Sequence, residues 1–185
     1  MKWVKQSIHY WCPDTKEHKF LGQNVTVAIL DTGISPHPDF KDRILSFRDF
    51  SSTTGSSEKV LFSFSHFSPL IDNSGHGTHV AGILAGSGLL SSGTYAGIAP
   101  FCNLIIGKVL DQNGNGSIKN VINGIQWIRD IYTQFHIRII NISVGTRPDL
   151  SIHQKLLLLN AVESLWDLGL VVVVSAGNYG PAPGS

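Results

Sequence analysis

Two short segments carry residue types that hydrolytic chemistry uses. Asp31-Thr32-Gly33 closes a β-branched apolar run, Val25-Thr26-Val27-Ala28-Ile29-Leu30, which puts a carboxylate at the carboxyl end of a strand. His76-Gly77-Thr78-His79 opens a small-residue stretch from Val80 to Gly86, which puts an imidazole at the start of a helix. An imidazole works as a general base when a carboxylate fixes its other ring nitrogen. Gly75 and Gly77 flank His76, so backbone and ligand can approach it closely. A third segment, Ser175-Ala176-Gly177-Asn178, follows the last apolar strand, and an asparagine amide there can donate to a developing oxyanion. Each group also has an ordinary reading: Asp31 as a turn cap, either histidine as a satisfied structural residue, Asn178 as a turn residue. His76, His79 and Asp31 would also suit a metal-dependent hydrolase. The three-residue spacing without a glutamate argues against that, and no metal site is assigned.

The elements that must position these groups alternate between strand and helix patterns. Val25–Leu30, Asn103–Leu110, Arg138–Ser143 and Leu170–Ser175 read as strands, apolar enough to be covered on both faces of a parallel sheet. Between them Gly77–Gly86 is a close-packing helix. Ser117–Tyr132 carries Val121, Ile122, Ile125, Ile128 and Tyr132 at helical spacing behind a Ser117 cap. Ile152–Leu168 places Leu156, Leu159, Val162, Leu165 and Trp166 on one side and stops at Gly169. This alternation predicts an α/β fold, a mostly parallel sheet in three layers flanked by helices. Open sheets of this kind hold their ligands at the carboxyl edge of the strands, where Asp31 and Asn178 fall. Ser51–Ile71 reads as a patternless excursion, Ser87–Gly93 as a flexible loop, and residues 1–22 as an arm packed on the domain through Trp3, Ile8, Tyr10 and Trp11.

Bulk properties exclude several function classes. Apolar residues make up 42% of the 185 and charged residues 15%, which is globular and rich in core. The net charge of +1 is scattered and forms no nucleic-acid stripe or polybasic membrane patch. The longest apolar run, Gly169 to Val174, is far too short to span a bilayer. Cys12 and Cys102 are too few for a disulfide framework and read as free thiols, a single bridge being the alternative. With no secretory signal at Met1-Lys2-Trp3-Val4-Lys5, they point to the cytoplasm, a secreted form being the alternative.

Asp31, His76 and Asn178, in that order and each at the end of an element, give the chain a clear resemblance to the subtilisin-like serine proteases, or subtilases. The matching stretches are Val27 to Ile34 with His37-Pro38-Asp39-Phe40, then Asn73 to Gly82, Gly97-Ile98-Ala99-Pro100, Asn141 to Gly145, and Ser175 to Asn178. They run from about residue 23 to 180 and imply a subtilisin-like catalytic domain over 23–185. The resemblance also implies roles. Asp31 orients the imidazole, His76 is general base and then general acid, His79 packs inside its helix, and Asn178 supplies the side-chain half of an oxyanion hole. A polypeptide substrate would lie as an added strand between Gly114-Asn115-Gly116 and Ser143-Val144-Gly145, with Ala176 and Gly177 lining the pocket before the scissile bond.

The sequence also departs from that family. The family's serine sits in a Gly-Thr-Ser-x-Ala-like segment, and none occurs here; Gly93-Thr94 precedes Tyr95, and Gly145-Thr146 precedes Arg147. The expectation is a fragment of a longer serine endopeptidase, incomplete at its C-terminus, inactive alone and marginally stable. A peptide-binding pseudoprotease or regulatory fragment is the alternative. Asp39 matches a position that often ligates calcium, but Ser87–Gly93 lacks the run of oxygen ligands, so calcium is only a candidate structural ion. The oligomeric state cannot be read from the sequence.

Overall fold

The computed structural model describes residues 2–10, 20–51, 72–145 and 150–178. They form helix α1 (Lys2–Ser7), strand β1 (Thr26–Asp31), strand β2 (Ile44–Asp49), helix α2 (His76–Ala85), strand β3 (Asn103–Lys108), helix α3 (Ile118–Ile131), strand β4 (Ile137–Ile142), helix α4 (Ile152–Trp166) and strand β5 (Val171–Val174). The five strands make one sheet in the order β2-β3-β1-β4-β5, and every pairing is parallel. β1 is central, with Asp31 in register opposite Lys108 of β3.

Strand parity divides the core. Side chains alternate across a sheet, so Ala28 and Leu30 face α3 and α4 while Val27 and Ile29 face α2. All six residues of β1 are buried. Each isoleucine or leucine so buried contributes about 1.5–3 kcal/mol, which makes β1 the firmest part of the scaffold. Asp31 shares the parity of Val27 and Ile29, so it is delivered to the face that α2 covers. Ser117 caps α3 by accepting the Asn120 N–H at 3.1 Å. A full capping box between Ser151 and Gln154 starts α4. Gly169, at a φ of +77°, turns the chain out of α4.

Four expectations change. β2 has no counterpart in the sequence reading. β5 was expected to be covered on both faces, yet Val171, Val173 and Val174 are 54%, 47% and 59% exposed, because among the described residues only β4 pairs with β5. On α4 the inward side is Leu158, Ala161, Val162 and Leu165, whereas Leu156, Leu159 and Trp166 are exposed. The helix is rotated from the predicted stripe because its neighbours are α3 and β5 on one side only. The arm is anchored at Tyr10, whose hydroxyl donates to the Ile98 carbonyl at 2.8 Å, but Trp3 and Ile8 face solvent. Trp11, Cys12 and residues 52–71 lie outside the described residues. Ser87–Gly93 holds a 3-10 turn at Leu89–Ser91, and Cys102 is a free, buried thiol.

Candidate active site

The site starts at the carboxyl end of β1. Asp31 is fully buried, and its Oδ1 accepts the Thr32 N–H at 2.7 Å. The same oxygen lies 2.7 Å from His76 Nδ1. A carboxylate only accepts, so Nδ1 carries the proton and Nε2 of the neutral ring is the free base. The His76 side chain is 52% exposed, so Nε2 opens away from the core. Asp31 Oδ2 is buried and has no hydrogen-bond partner among the described residues. A buried acceptor beside an oriented, half-exposed imidazole is an arrangement that a proton relay can use.

His76 is the first residue of α2, and its place depends on how that helix begins. Gly75 precedes it with a φ of +85° and no side-chain cap. The first backbone N–H groups of a helix have no partner within it. Here they go to residues outside it: Gly77 N–H donates to Thr32 Oγ1 at 2.9 Å and Thr78 N–H to Asp72 Oδ2 at 2.8 Å. A carboxylate at this end is also favoured by the helix dipole. Gly77 permits the close approach to β1, since a Cβ there would stand 2.2 Å from the Gly33 carbonyl oxygen.

Asp72 was not singled out in the sequence. Its Oδ1 accepts from Thr32 Oγ1 at 2.8 Å, Gly75 N–H at 2.8 Å and Ser74 N–H at 3.2 Å. Its Oδ2 accepts from Thr78 Oγ1 at 2.5 Å as well as from Thr78 N–H. Burial pushes its carboxyl up, but the hydrogen bonds from Thr78, Thr32 and Gly75 outweigh this and hold it at about 2. The missed signal was the turn chemistry of Asp72-Asn73-Ser74-Gly75 just before a helix. Lys108 is the second omission. It is buried, and its ammonium donates to the carbonyls of Thr32 at 2.6 Å and Leu110 at 3.0 Å, bracing the turn after Asp31. A lysine ending an apolar strand was the signal, because buried charges must be paired or hydrogen-bonded.

The parallel sheet brings the other candidates to the same carboxyl edge. Beyond β3, Asp111 Oδ1 accepts the N–H groups of Asn113 and Asn115 at 2.8 and 2.9 Å, so the Gly114-Asn115-Gly116 turn is held rather than loose. Beyond β4 come Ser143, Val144 and Gly145, with Ser143 Oγ accepting from Asn141 Nδ2 at 2.7 Å. Beyond β5 come Ala176, Gly177 and the exposed Asn178. A cleft of about 1000 Å³ runs between these segments. Gly114, Asn115, Gly116, Val144, Gly145, Ala176 and Gly177 line it together with residues of α3 and α4 such as Val121 and Leu158; Asp31, His76, Ser143 and Asn178 lie outside the lining. His79 is exposed rather than packed inside α2, because it faces away from the sheet.

The residues around Asp39 do not suit a calcium ion. Its two carboxylate oxygens accept the N–H groups of Gly88 at 3.0 Å and Leu90 at 3.3 Å. Its carbonyl accepts from Ser87 N–H at 3.1 Å and from the Arg43 guanidinium. With its carboxylate oxygens directed at backbone N–H groups and its carbonyl at a guanidinium, Asp39 offers a cation no converging set of free oxygen ligands. Among the described residues no group of three His, Cys, Asp or Glu could hold a metal ion.

Comparison with known proteins points the same way as the geometry. The model of the Subtilase family, peptidase S8, matches residues 22–185. Serine protease AprX of Bacillus subtilis (strain 168) is 42% identical over 165 residues, covering 86% of this chain and 34% of that protein. The Major intracellular serine protease of the same strain is 37% identical over 161 residues, covering 86% of this chain and 44% of the relative. Among solved structures, Sphericase superposes with a TM-score of 0.71 at 29% identity, covering 87% of this chain and 48% of that one. The chain thus spans between about a third and a half of the length of these three proteins. No helix among the described residues is long and apolar enough to cross a membrane.

Proposed function

The chain belongs to the subtilase family, and we propose that it is the Asp- and His-bearing part of a serine endopeptidase whose nucleophile lies outside these 185 residues. The observation that carries this reading is the 2.7 Å contact of buried Asp31 with the half-exposed ring of His76. In this reading the serine hydroxyl, once seated within reach of Nε2, gives its proton to His76 as its oxygen attacks the scissile carbonyl. Asp31 stabilises the imidazolium that forms. The carbonyl oxygen becomes an oxyanion, and in this reading it accepts from the side-chain amide of Asn178 in the loop after β5. His76 then returns the proton to the departing amine. Water repeats the cycle on the acyl-enzyme.

The substrate is a polypeptide in extended form. Gly114-Asn115-Gly116 and Ser143-Val144-Gly145 offer open backbone on either side of the cleft for ladder hydrogen bonds. Ala176 and Gly177 leave room for an apolar side chain next to the scissile bond. Without the serine, these residues alone bind and orient but do not turn over. We place the protein in the cytoplasm, a reading supported by the buried free thiol of Cys102. Labelling with a fluorophosphonate probe tests the function. The full-length protein that carries this chain labels, and His76→Ala abolishes the labelling. Absence of labelling in the full-length protein would overturn the endopeptidase reading and leave a peptide-binding protein.

A further inference from the structure

We propose that Asp72 is a positioning residue that fixes the relative placement of Asp31 and His76 without touching either. This inference rests on the proposed proton relay but concerns how its two members are held. Asp31 sits at the end of β1 and His76 at the start of α2, 45 residues apart in sequence. A single 2.7 Å hydrogen bond between them, with the ring half exposed, does not set the angle or the depth of the imidazole. The residues that follow each member do. Thr32, next after Asp31, donates its hydroxyl to Asp72 Oδ1 at 2.8 Å and accepts the N–H of Gly77, next after His76, at 2.9 Å. Thr78, two after His76, gives both its N–H and its hydroxyl to Asp72 Oδ2. The same hydroxyl accepts the N–H of Ser35, back on the β1 turn, at 2.9 Å.

The carboxylate is therefore a hub with strand-side partners on one hand and helix-side partners on the other. Five hydrogen bonds converge on its two oxygens, and all five come from donors. An acceptor-only group fits this place, and an amide does not, because its NH2 would face donors on one side. Asp72 is buried, so water cannot replace it cheaply. With the hub broken, α2 is free to slide relative to β1. A displacement of about 1 Å near reacting groups costs on the order of 10²-fold in rate.

The test compares Asp72→Asn with the parent in the full-length protein that carries this chain. Long-range 1H–15N spectra report which nitrogen of His76 holds the proton. The parent is expected to hold it on Nδ1, and Asp31→Asn serves as the assignment control. In a folded Asp72→Asn the Nδ1–H form gives way to mixed tautomers, and kcat on a peptide substrate falls by about 10²-fold with KM nearly unchanged. A fold-wide defect would instead lower the amount of active protein and leave the tautomer of the folded fraction intact. Retention of the parental tautomer and of kcat overturns the proposal. If Asp72→Asn does not fold, the pair Thr78→Val and Thr78→Ser takes its place. Loss of the Nδ1–H form in the valine variant, with its return in the serine variant, supports the hub, and its survival in both overturns it. The tautomer reading stands whether or not the protein is a peptidase. An inactive parent would sink the functional proposal and leave this one decided by the spectrum.

Discussion

Replacing Gly77 by alanine sets two effects against each other at one carbon atom. Alanine is the better helix former, by about 1 kcal/mol. Against this, the new Cβ would stand 2.2 Å from the Gly33 carbonyl oxygen, 3.1 Å from Gly33 N and 3.2 Å from Asp31 Oδ1. Ordinary contact begins at 3.4 Å, so the start of α2 must move by about 1 Å, and two of the three neighbours are backbone that cannot rotate aside. Overpacking of this kind costs about 1–3 kcal/mol, and fixed neighbours favour the upper end. The net expectation is a loss of about 2 kcal/mol. The shift also stretches the neighbouring 2.7 Å contact of His76 with Asp31 beyond hydrogen-bond range. Urea unfolding measures the first effect and the His76 tautomer the second. Gly82→Ala is the internal control: it lies in the same helix, its added Cβ meets nothing within 4 Å, and it should gain stability. A Gly77→Ala protein with a raised urea midpoint and an undisturbed tautomer would refute the reasoning, because helix propensity would then have outweighed the clash.

Acid should act through Asp72, whose carboxyl is held at about 2 against the ordinary 3.8. A carboxyl depressed in the folded state stabilises above its unfolded value, and that stability is lost as pH falls through the folded one. Urea midpoints should therefore drop between about pH 4 and pH 2 by the equivalent of about 1 kcal/mol, and Asp72→Asn should flatten that part of the profile. Chelation should do little: EDTA is expected to leave Tm unchanged, while Asp39→Ala lowers stability by about 1 kcal/mol by stranding the buried N–H of Gly88. A fall in Tm on adding EDTA would restore calcium to that loop. Burial predicts unequal costs along the sheet. Ile140→Ala, fully buried, should cost about 2–5 kcal/mol in denaturant, whereas Val173→Ser, 47% exposed, should stay within about 0.5 kcal/mol.

The sequence was most readable where one physical demand dominated. β1 and β3 are buried on both faces because helices cover both, so their runs stand out unaided, while β4 is legible from Ile137, Ile140 and Ile142 although Arg138 is exposed and Asn141 half-buried. β2 escaped because Ser46, Arg48 and Asp49 interrupt Ile44, Leu45 and Phe47; an edge strand with one neighbour can keep polar residues that a central strand cannot. The stripe on α4 was misjudged by about a quarter turn, because leucine runs from Leu156 to Leu159 and only the neighbouring elements decide which leucines turn inward. Asp31 and His76 were legible from their places at element ends. Asp72 and Lys108 left only local turn and strand-end signals, because the partner that ties each to the site, Thr32, is brought by the fold from 40 and 76 residues away.

The central place of β1 has a consequence for biosynthesis. Its neighbours are β3 and β4, so the strand made first is flanked by strands made much later. At about 5–20 residues per second on the ribosome, the chain from Thr26 to Ile142 takes on the order of ten seconds to emerge. Until β3 emerges, Val27, Ala28, Ile29 and Leu30 have no sheet to join, and until β4 emerges one edge of β1 stays open, so the carboxylate of Asp31 travels on an aggregation-prone segment. Such a nascent chain is a natural client for a ribosome-associated holdase, and slow codons placed before β4 would lengthen its exposure rather than help it fold.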